Sequence, residues 1–238
     1  MYKTAAHVPG DLNRLSRETG MLLATVDSLA DDEFPVPSTC AGWTRAHVIA
    51  HLALGADALG NMVTWALTGV ETPPYASREA RDTAIDALAG KPPAELKAAL
   101  HTATAAFAEQ AAKLGDGVAT ETVQAPGGAD FNAYAIPALR ISEVIVHHAD
   151  LDTVWQLEEA DIDALEDSLE LLVDRVSAHP GFPGVTIDTD EREHYVIGDG
   201  ATAIRGGRDA VIGWLTRGRT DGLRFDGELP ARPAGPLG

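Results

Sequence analysis

The sequence is poor in cysteine, aromatic residues and positive charge, and it lacks long uninterrupted apolar runs. A single cysteine, Cys40, among 238 residues excludes an intrachain disulfide and a cysteine-rich metal site. Basic residues number 18 against 36 acidic ones, and the net charge of −18 disfavours nucleic acid and anionic membrane surfaces as partners. Charge interrupts every apolar stretch before it reaches the length of a membrane span, and the N-terminus has no apolar signal-peptide core. We therefore expect a cytoplasmic protein.

The N-terminal two thirds of the chain carries helical periodicity. Hydrophobic residues make up 45% of the sequence and charged residues 23%, which is enough apolar material for a globular core. Four amphipathic helices of this length predict an antiparallel four-helix bundle. The predicted helices run from Asp11, as N-cap, to about Ala30; from a Thr44 cap to about Leu67; from about Pro93 to Leu114; and from about Ala135 to Gln156.

The pattern changes after about residue 160. Residues 161–178 predict one more helix, and 208–217 a closing helix before the Pro- and Gly-rich tail LPARPAGPLG. Between them, β-branched runs separated by turn residues predict short antiparallel strands, with the segment around GDG as a hairpin turn. The runs lie at 185–187, 195–197 and 202–204. The fold class is thus mainly α with a small α+β domain, divided into domains 1–160 and 161–238.

Two helical segments carry side chains that can bind a metal. In RISEVIVHHADLD, Glu143 and His147 are four residues apart and so lie on one helix face. In TRAHVIAHL, His47 and His51 have the same spacing. Two imidazoles and one carboxylate are a common catalytic zinc set, which leaves one position open for water or substrate. We predict one divalent metal, with zinc favoured and Ni, Co or Fe also suited, bound by His51, Glu143 and His147.

A Glu and a His four residues apart are more often a salt bridge or a solvated pair. The apolar neighbours of Glu143 favour metal binding, because a buried carboxylate is costly without a partner. His47 is interpreted as either a further ligand or a helix-face residue, and His148 as a residue of the second shell or the surface. Cys40 precedes a helix N-terminus, but no neighbouring base is evident, so we do not expect it to be catalytic.

Three blocks of the sequence together resemble a known family. They are GWTRAHVIAHL, NMVTWALTGVETPPYASREAR and RISEVIVHHADL, followed by weaker similarity in GRTDGL and ELP. They resemble the mycothiol-dependent maleylpyruvate isomerases, within the wider DinB-like metal-binding bundles, over nearly the whole chain. The resemblance implies the same three zinc ligands and places the basic active-site residues at Arg81 and Arg219. The tail ARPAGPLG departs from the aromatic-containing tail of that family.

The resemblance implies a function for these residues. The metal and mycothiol would convert maleylpyruvate to fumarylpyruvate by thiol addition and elimination. The guanidinium groups of Arg81 and Arg219 would hold substrate carboxylates, with Arg219 reaching from the second domain to a site at the domain interface. An alternative is a mycothiol S-transferase acting on another electrophile. A further alternative is a non-enzymatic bundle, which three ligands rather than four disfavour. The partners are thus a small thiol and a small dicarboxylate or other electrophile, in a monomer or a homodimer.

Overall fold

A computed structural model describes residues 2–179 and 181–230 of the chain. The predicted tail at 231–238 lies outside the described residues. The chain divides into two units, Tyr2–Trp155 and Gln156–Gly238. No helix within the described ranges has the combination of length and apolarity that a membrane span requires.

The N-terminal unit is built from long helices. They are α1 (Val8–Ser28), α2 (Arg45–Thr68), α3 (Arg78–Ala89), α4 (Pro93–Ala111) and α5 (Ile136–Asp150). The strands β1 (Thr122–Gln124) and β2 (Asp130–Asn132) form an antiparallel hairpin between α4 and α5. Helix α2 packs against α3, α4 and α5, and α1 packs against α4 and α5. The long helices α1, α2, α4 and α5 therefore form the bundle that the sequence predicts.

Helix α2 is buried on nearly all sides because its sequence is almost free of charge. Asp57 is the one acidic residue in this segment. The helix begins where predicted, at Thr44, whose hydroxyl oxygen lies 2.7 Å from His47 Nδ1. It ends at Gly69, which takes a left-handed conformation with φ 71° that favours glycine. A helix that is apolar all round belongs in a core, and the metal-binding histidine candidates lie near its start.

Three details of the helical unit differ from the predictions. Helix α1 begins before Asp11, so Asp11 is not the N-cap; its carboxylate is buried and accepts from Lys3 Nζ at 3.2 Å and Arg14 Nη2 at 2.7 Å. The fourth predicted helix ends at Asp150 rather than near Gln156. Helix α3 was not predicted, because its sequence is polar and it buries one residue, Ile85.

The C-terminal unit contains a small mixed sheet. Its elements are α6 (Ile162–Ser177), β3 (Val185–Thr189), β4 (His194–Ile197), β5 (Thr202–Gly206), α7 (Arg208–Arg217) and β6 (Arg224–Phe225). The strand order is β4-β3-β5-β6, and the helices α6 and α7 pack against each other. Helix α6 also contacts β4, and α7 contacts β3 and β5. This arrangement confirms the predicted strands, both helices and the α+β class.

The predicted all-antiparallel pairing and the hairpin at GDG are wrong. Strand β3 pairs antiparallel with β4 but parallel with β5, so β4 and β5 lie on opposite edges of β3. The chain crosses the beginning of β3 through Gly198 and Gly200, which have φ values of 59° and 66°. A Cβ atom on Gly198 would lie 3.2 Å from the Cα atom of Gly184, so the crossing depends on a close backbone approach.

Replacing Gly198 with Ala tests this crossing. We expect the free energy of unfolding to fall by about 2 kcal/mol. An alanine is strained in the left-handed conformation, and its Cβ atom would also crowd Gly184. The matched control is Gly227→Ala, which has a φ of 85° but no heavy atom within 4 Å of an added Cβ. Denaturant unfolding of both variants measures the difference, and equal losses would contradict the role of the close approach.

Candidate metal centre

The packing of α2 against α5 brings the three predicted ligands together. His51 Nε2 lies 3.0 Å from Glu143 Oε2 and 3.0 Å from His147 Nε2. The third pair, His147 Nε2 and Glu143 Oε2, is 3.8 Å apart. Both imidazoles are buried, whereas the Glu143 side chain is 27% exposed, so the group opens towards solvent on the carboxylate side.

These three donors fit a divalent metal. Donor atoms around a tetrahedral zinc stand about 3.3–3.4 Å apart, because each bond is about 2.0–2.1 Å long. The observed separations of 3.0, 3.0 and 3.8 Å surround that value. A single proton on His51 Nε2 cannot serve both neighbours at once, whereas one cation can bind all three donors.

The charge states of the donors also suit a metal. Burial lowers the pKa of His51 to about 4, with the charges of His147 and Arg81 acting in the same direction and the Glu143 hydrogen bond opposing. Burial alone would raise the pKa of Glu143, but the hydrogen bond from His51 and the charges of both histidines and Arg140 lower it overall. A neutral imidazole and an ionised carboxylate are the forms that bind metals.

A second carboxylate, on Asp150, orients His147. Asp150 is buried, and its Oδ2 lies 2.8 Å from His147 Nδ1. Because Nδ1 carries the proton that Asp150 accepts, the lone pair of Nε2 is directed at the other donors. Thr39 Oγ1 donates to Asp150 Oδ1 at 2.5 Å, which ties the preceding loop to the same carboxylate. Asp150 was not predicted as part of the site, although its position three residues after His147 places it on the same helix face.

Cys40 has the neighbouring carboxylate that the sequence did not reveal. Its Sγ lies 3.2 Å from Asp150 Oδ2. Cys40, His147 and Asp150 form a second group of possible metal-ligating atoms, all within 4.8 Å of one another. This group shares His147 with the first and uses the other ring nitrogen.

The two remaining histidines near the site have other contacts. The Nδ1 of His47 lies beside the Thr44 hydroxyl, and its Nε2 is 3.7 Å from Asp86 Oδ1, so it lies at the start of α2 outside the ligand group. The Nε2 of His148 lies 2.8 Å from Thr25 Oγ1, and its ring stacks on Trp155 at 3.9 Å. Its burial lowers its pKa to about 4, and the surface interpretation of His148 is therefore wrong.

Arg81 lies close to the ligand group. Its guanidinium carbon is 5.9 Å from the ring centre of Trp43, and Trp43 in turn is 5.5 Å from the His51 ring. Arg81 also forms a hydrogen bond with Tyr75. Burial and the charge of Glu143 raise the pKa of Tyr75 to about 12, although the charge of Arg81 acts in the opposite direction. The sequence block containing Tyr75 carried the family resemblance, but no role was predicted for this tyrosine.

Arg219 lies in the C-terminal unit. It follows Gly218, which ends α7 in a left-handed conformation. Its Nε is 3.7 Å from Asp221 Oδ2, and its side chain is 49% exposed. The predicted contribution of Arg219 to the site stays a prediction.

Comparison with known proteins gives a family match and structural similarities. The family model described as the mycothiol maleylpyruvate isomerase N-terminal domain matches residues 15–152. Crystal structures of a mycothiol-dependent maleylpyruvate isomerase and of a mutant of it with one histidine changed to alanine are similar to this chain. Both are 24% identical and have TM-scores of 0.83 and 0.84, over 98% of this chain and 99% of theirs. At this identity the likeness establishes the fold. No curated protein matches the chain.

Replacing Asp150 with Asn tests the orienting carboxylate. We expect metal affinity to fall about 10- to 100-fold, because the amide cannot accept the His147 proton as a charged partner. Competition with a chromogenic chelator measures the affinity. The matched control is Asp86→Asn, which removes the carboxylate facing His47 and should leave metal affinity unchanged. Unaltered affinity in the Asp150 variant would refute the role.

Proposed function

This chain belongs to the family of the mycothiol maleylpyruvate isomerase N-terminal domain, and from that premise we propose that it catalyses the mycothiol-dependent isomerisation of maleylpyruvate to fumarylpyruvate. The observation that carries the proposal is the convergence of His51, Glu143 and His147 within 3.8 Å, with Arg81 beside them. The proposed setting is the cytoplasm, since a lone cysteine suits a reducing compartment.

His51, Glu143 and His147 would hold the metal, with zinc as the favoured ion. When bound, the metal supplies a position at which a thiol loses its proton, and the thiol supplies a nucleophile that adds reversibly to the cis double bond. Three protein ligands leave that position free, as in catalytic rather than structural zinc sites. The Asp150 carboxylate, which accepts from His147 Nδ1, would keep the Nε2 lone pair available to the metal.

Arg81 would bind a substrate carboxylate and stabilise the negative charge that develops on the conjugated carbonyl. Its position is restrained by the Trp43 ring, by Tyr75 and by Asp82, whose Oδ1 accepts from Nη1 at 2.8 Å. A restrained guanidinium loses little entropy when it binds a carboxylate. Arg219 would be the second carboxylate-binding residue, as the family resemblance implies.

Activity measurements distinguish the isomerase from its rival. We expect the metal-loaded protein to isomerise maleylpyruvate only when mycothiol is present. The change in absorbance of the conjugated double bond of maleylpyruvate measures the reaction. No turnover by protein with bound metal and bound mycothiol would instead favour S-transfer to another electrophile.

The His51→Ala variant tests the ligand assignment. We expect loss of both metal loading and activity, because two donors no longer enclose the ion. The control is His101→Ala, which removes an exposed histidine paired with Asp27 at 3.0 Å and should change neither property. Metal analysis of the purified proteins reads out the first effect directly, and full metal content in the His51 variant would refute the assignment.

The Arg81→Met variant tests carboxylate binding. We expect kcat/KM to fall about 10- to 100-fold, because charged hydrogen bonds to the substrate are lost. The control is Arg78→Met, which removes an exposed arginine from the same helix. Steady-state kinetics compare the two, and equal values in both variants would contradict the role of Arg81.

A further inference from the structure

Arg140 is a buried arginine whose terminal nitrogens make no hydrogen bond to the described residues. It lies on α5, three residues before Glu143, and is 1% exposed. Within the described part of the chain, neither Nη1 nor Nη2 has a hydrogen-bond acceptor. Burying guanidinium N–H groups without acceptors is costly, because the hydrogen bonds that they would make to water are lost and not replaced.

Arg140 lies next to the candidate metal centre. A Cβ atom on Gly55 would lie 3.4 Å from Arg140 Nη1 and 4.0 Å from His51 Cε1. Both distances are ordinary van der Waals contacts, so the backbone of Gly55 leaves room for at least one carbon atom beside the guanidinium and the His51 ring. Gly55 lies four residues after His51 and therefore on the same face of α2.

The groups around Arg140 leave it charged. Burial lowers its pKa to about 10, and the charges of Glu143 and Asp57 and the Tyr75 hydroxyl oppose that effect. Arg140 is therefore protonated at neutral pH. Glu143 and Asp57 are close enough to interact electrostatically, yet neither accepts a hydrogen bond from Nη1 or Nη2.

We propose that Arg140 is a carboxylate-binding residue of the same site, with Gly55 supplying the space beside its guanidinium. The ligand class is a small carboxylate held next to the metal donors. Two parallel N–H groups match the two oxygens of a carboxylate, and a dry setting strengthens the contact. The inference rests on the proposed function and adds a buried cation near His51 to the partly exposed cation that Arg81 supplies beside Trp43.

Calorimetric titration of metal-loaded protein with maleate, in the absence of any thiol, tests the proposal. We expect Arg140→Met to weaken maleate binding about 10- to 100-fold with metal content unchanged, because two charged hydrogen bonds are lost. Arg140→Lys keeps the charge without the paired N–H groups and should bind with intermediate affinity. Gly55→Ala keeps the guanidinium but fills the space beside Nη1, and should also weaken binding.

Thermal unfolding separates a binding role from a structural one. Maleate should raise the melting temperature of the metal-loaded wild-type protein and leave that of Arg140→Met unchanged, because a ligand stabilises only the folded state that binds it. An equal maleate-induced rise in both proteins, or a loss of metal affinity with maleate binding retained, would make Arg140 a structural partner of Glu143 and overturn the proposal. If Arg140→Met fails to fold, Gly55→Ala and Arg140→Lys decide.

The outcome of the maleate-binding experiment is independent of the isomerisation assay. Arg140-dependent maleate binding by a protein that does not isomerise maleylpyruvate would uphold the binding site and reject the isomerase. Isomerisation by a protein whose maleate affinity does not depend on Arg140 or Gly55 would uphold the isomerase and reject this inference.

Discussion

The contact between His51 on α2 and Glu143 on α5 is the interaction on which the candidate metal centre depends. The two donor atoms are 3.0 Å apart, and His147 lies beside them. Both imidazoles are buried, so water cannot solvate the group fully. The same desolvation lowers the pKa of His51, while the hydrogen bond from His51, together with nearby charges that include Arg140, lowers the pKa of Glu143. The helix packing thus fixes both the position and the chemical form of the donors.

This constraint extends outward through Asp150. One carboxylate accepts from His147 on one side and from Thr39 and Cys40 on the other. The loop before α2 is therefore attached to the end of α5, and Trp43 in that loop lies against His51 and Arg81. The hydrogen bonds of Asp150 therefore connect the residue that orients His147 with the loop that carries the Trp43 ring.

The features that could be predicted from the sequence are those that depend on the spacing of residues along one helix. The bundle follows from helical periodicity, and the grouping of Glu143 with His147 follows from residues four apart. Other features depend on tertiary contacts. Helix α3 has too few apolar residues to show a pattern, and the parallel pairing of β3 with β5 depends on the crossing at Gly198. Nothing local distinguishes Arg140 from a surface arginine, because its burial results from the packing around it.

The hydrogen bond from Cys40 to Asp150 has a consequence for the reactivity of this thiol. A thiol that donates to a carboxylate retains its proton, and a protonated thiol is a poor nucleophile. The chain's only sulfhydryl is thereby held in an unreactive form beside a centre proposed to activate another molecule's sulfhydryl. Under the proposed function, an electrophile at the centre would then meet the small thiol as the more reactive sulfur.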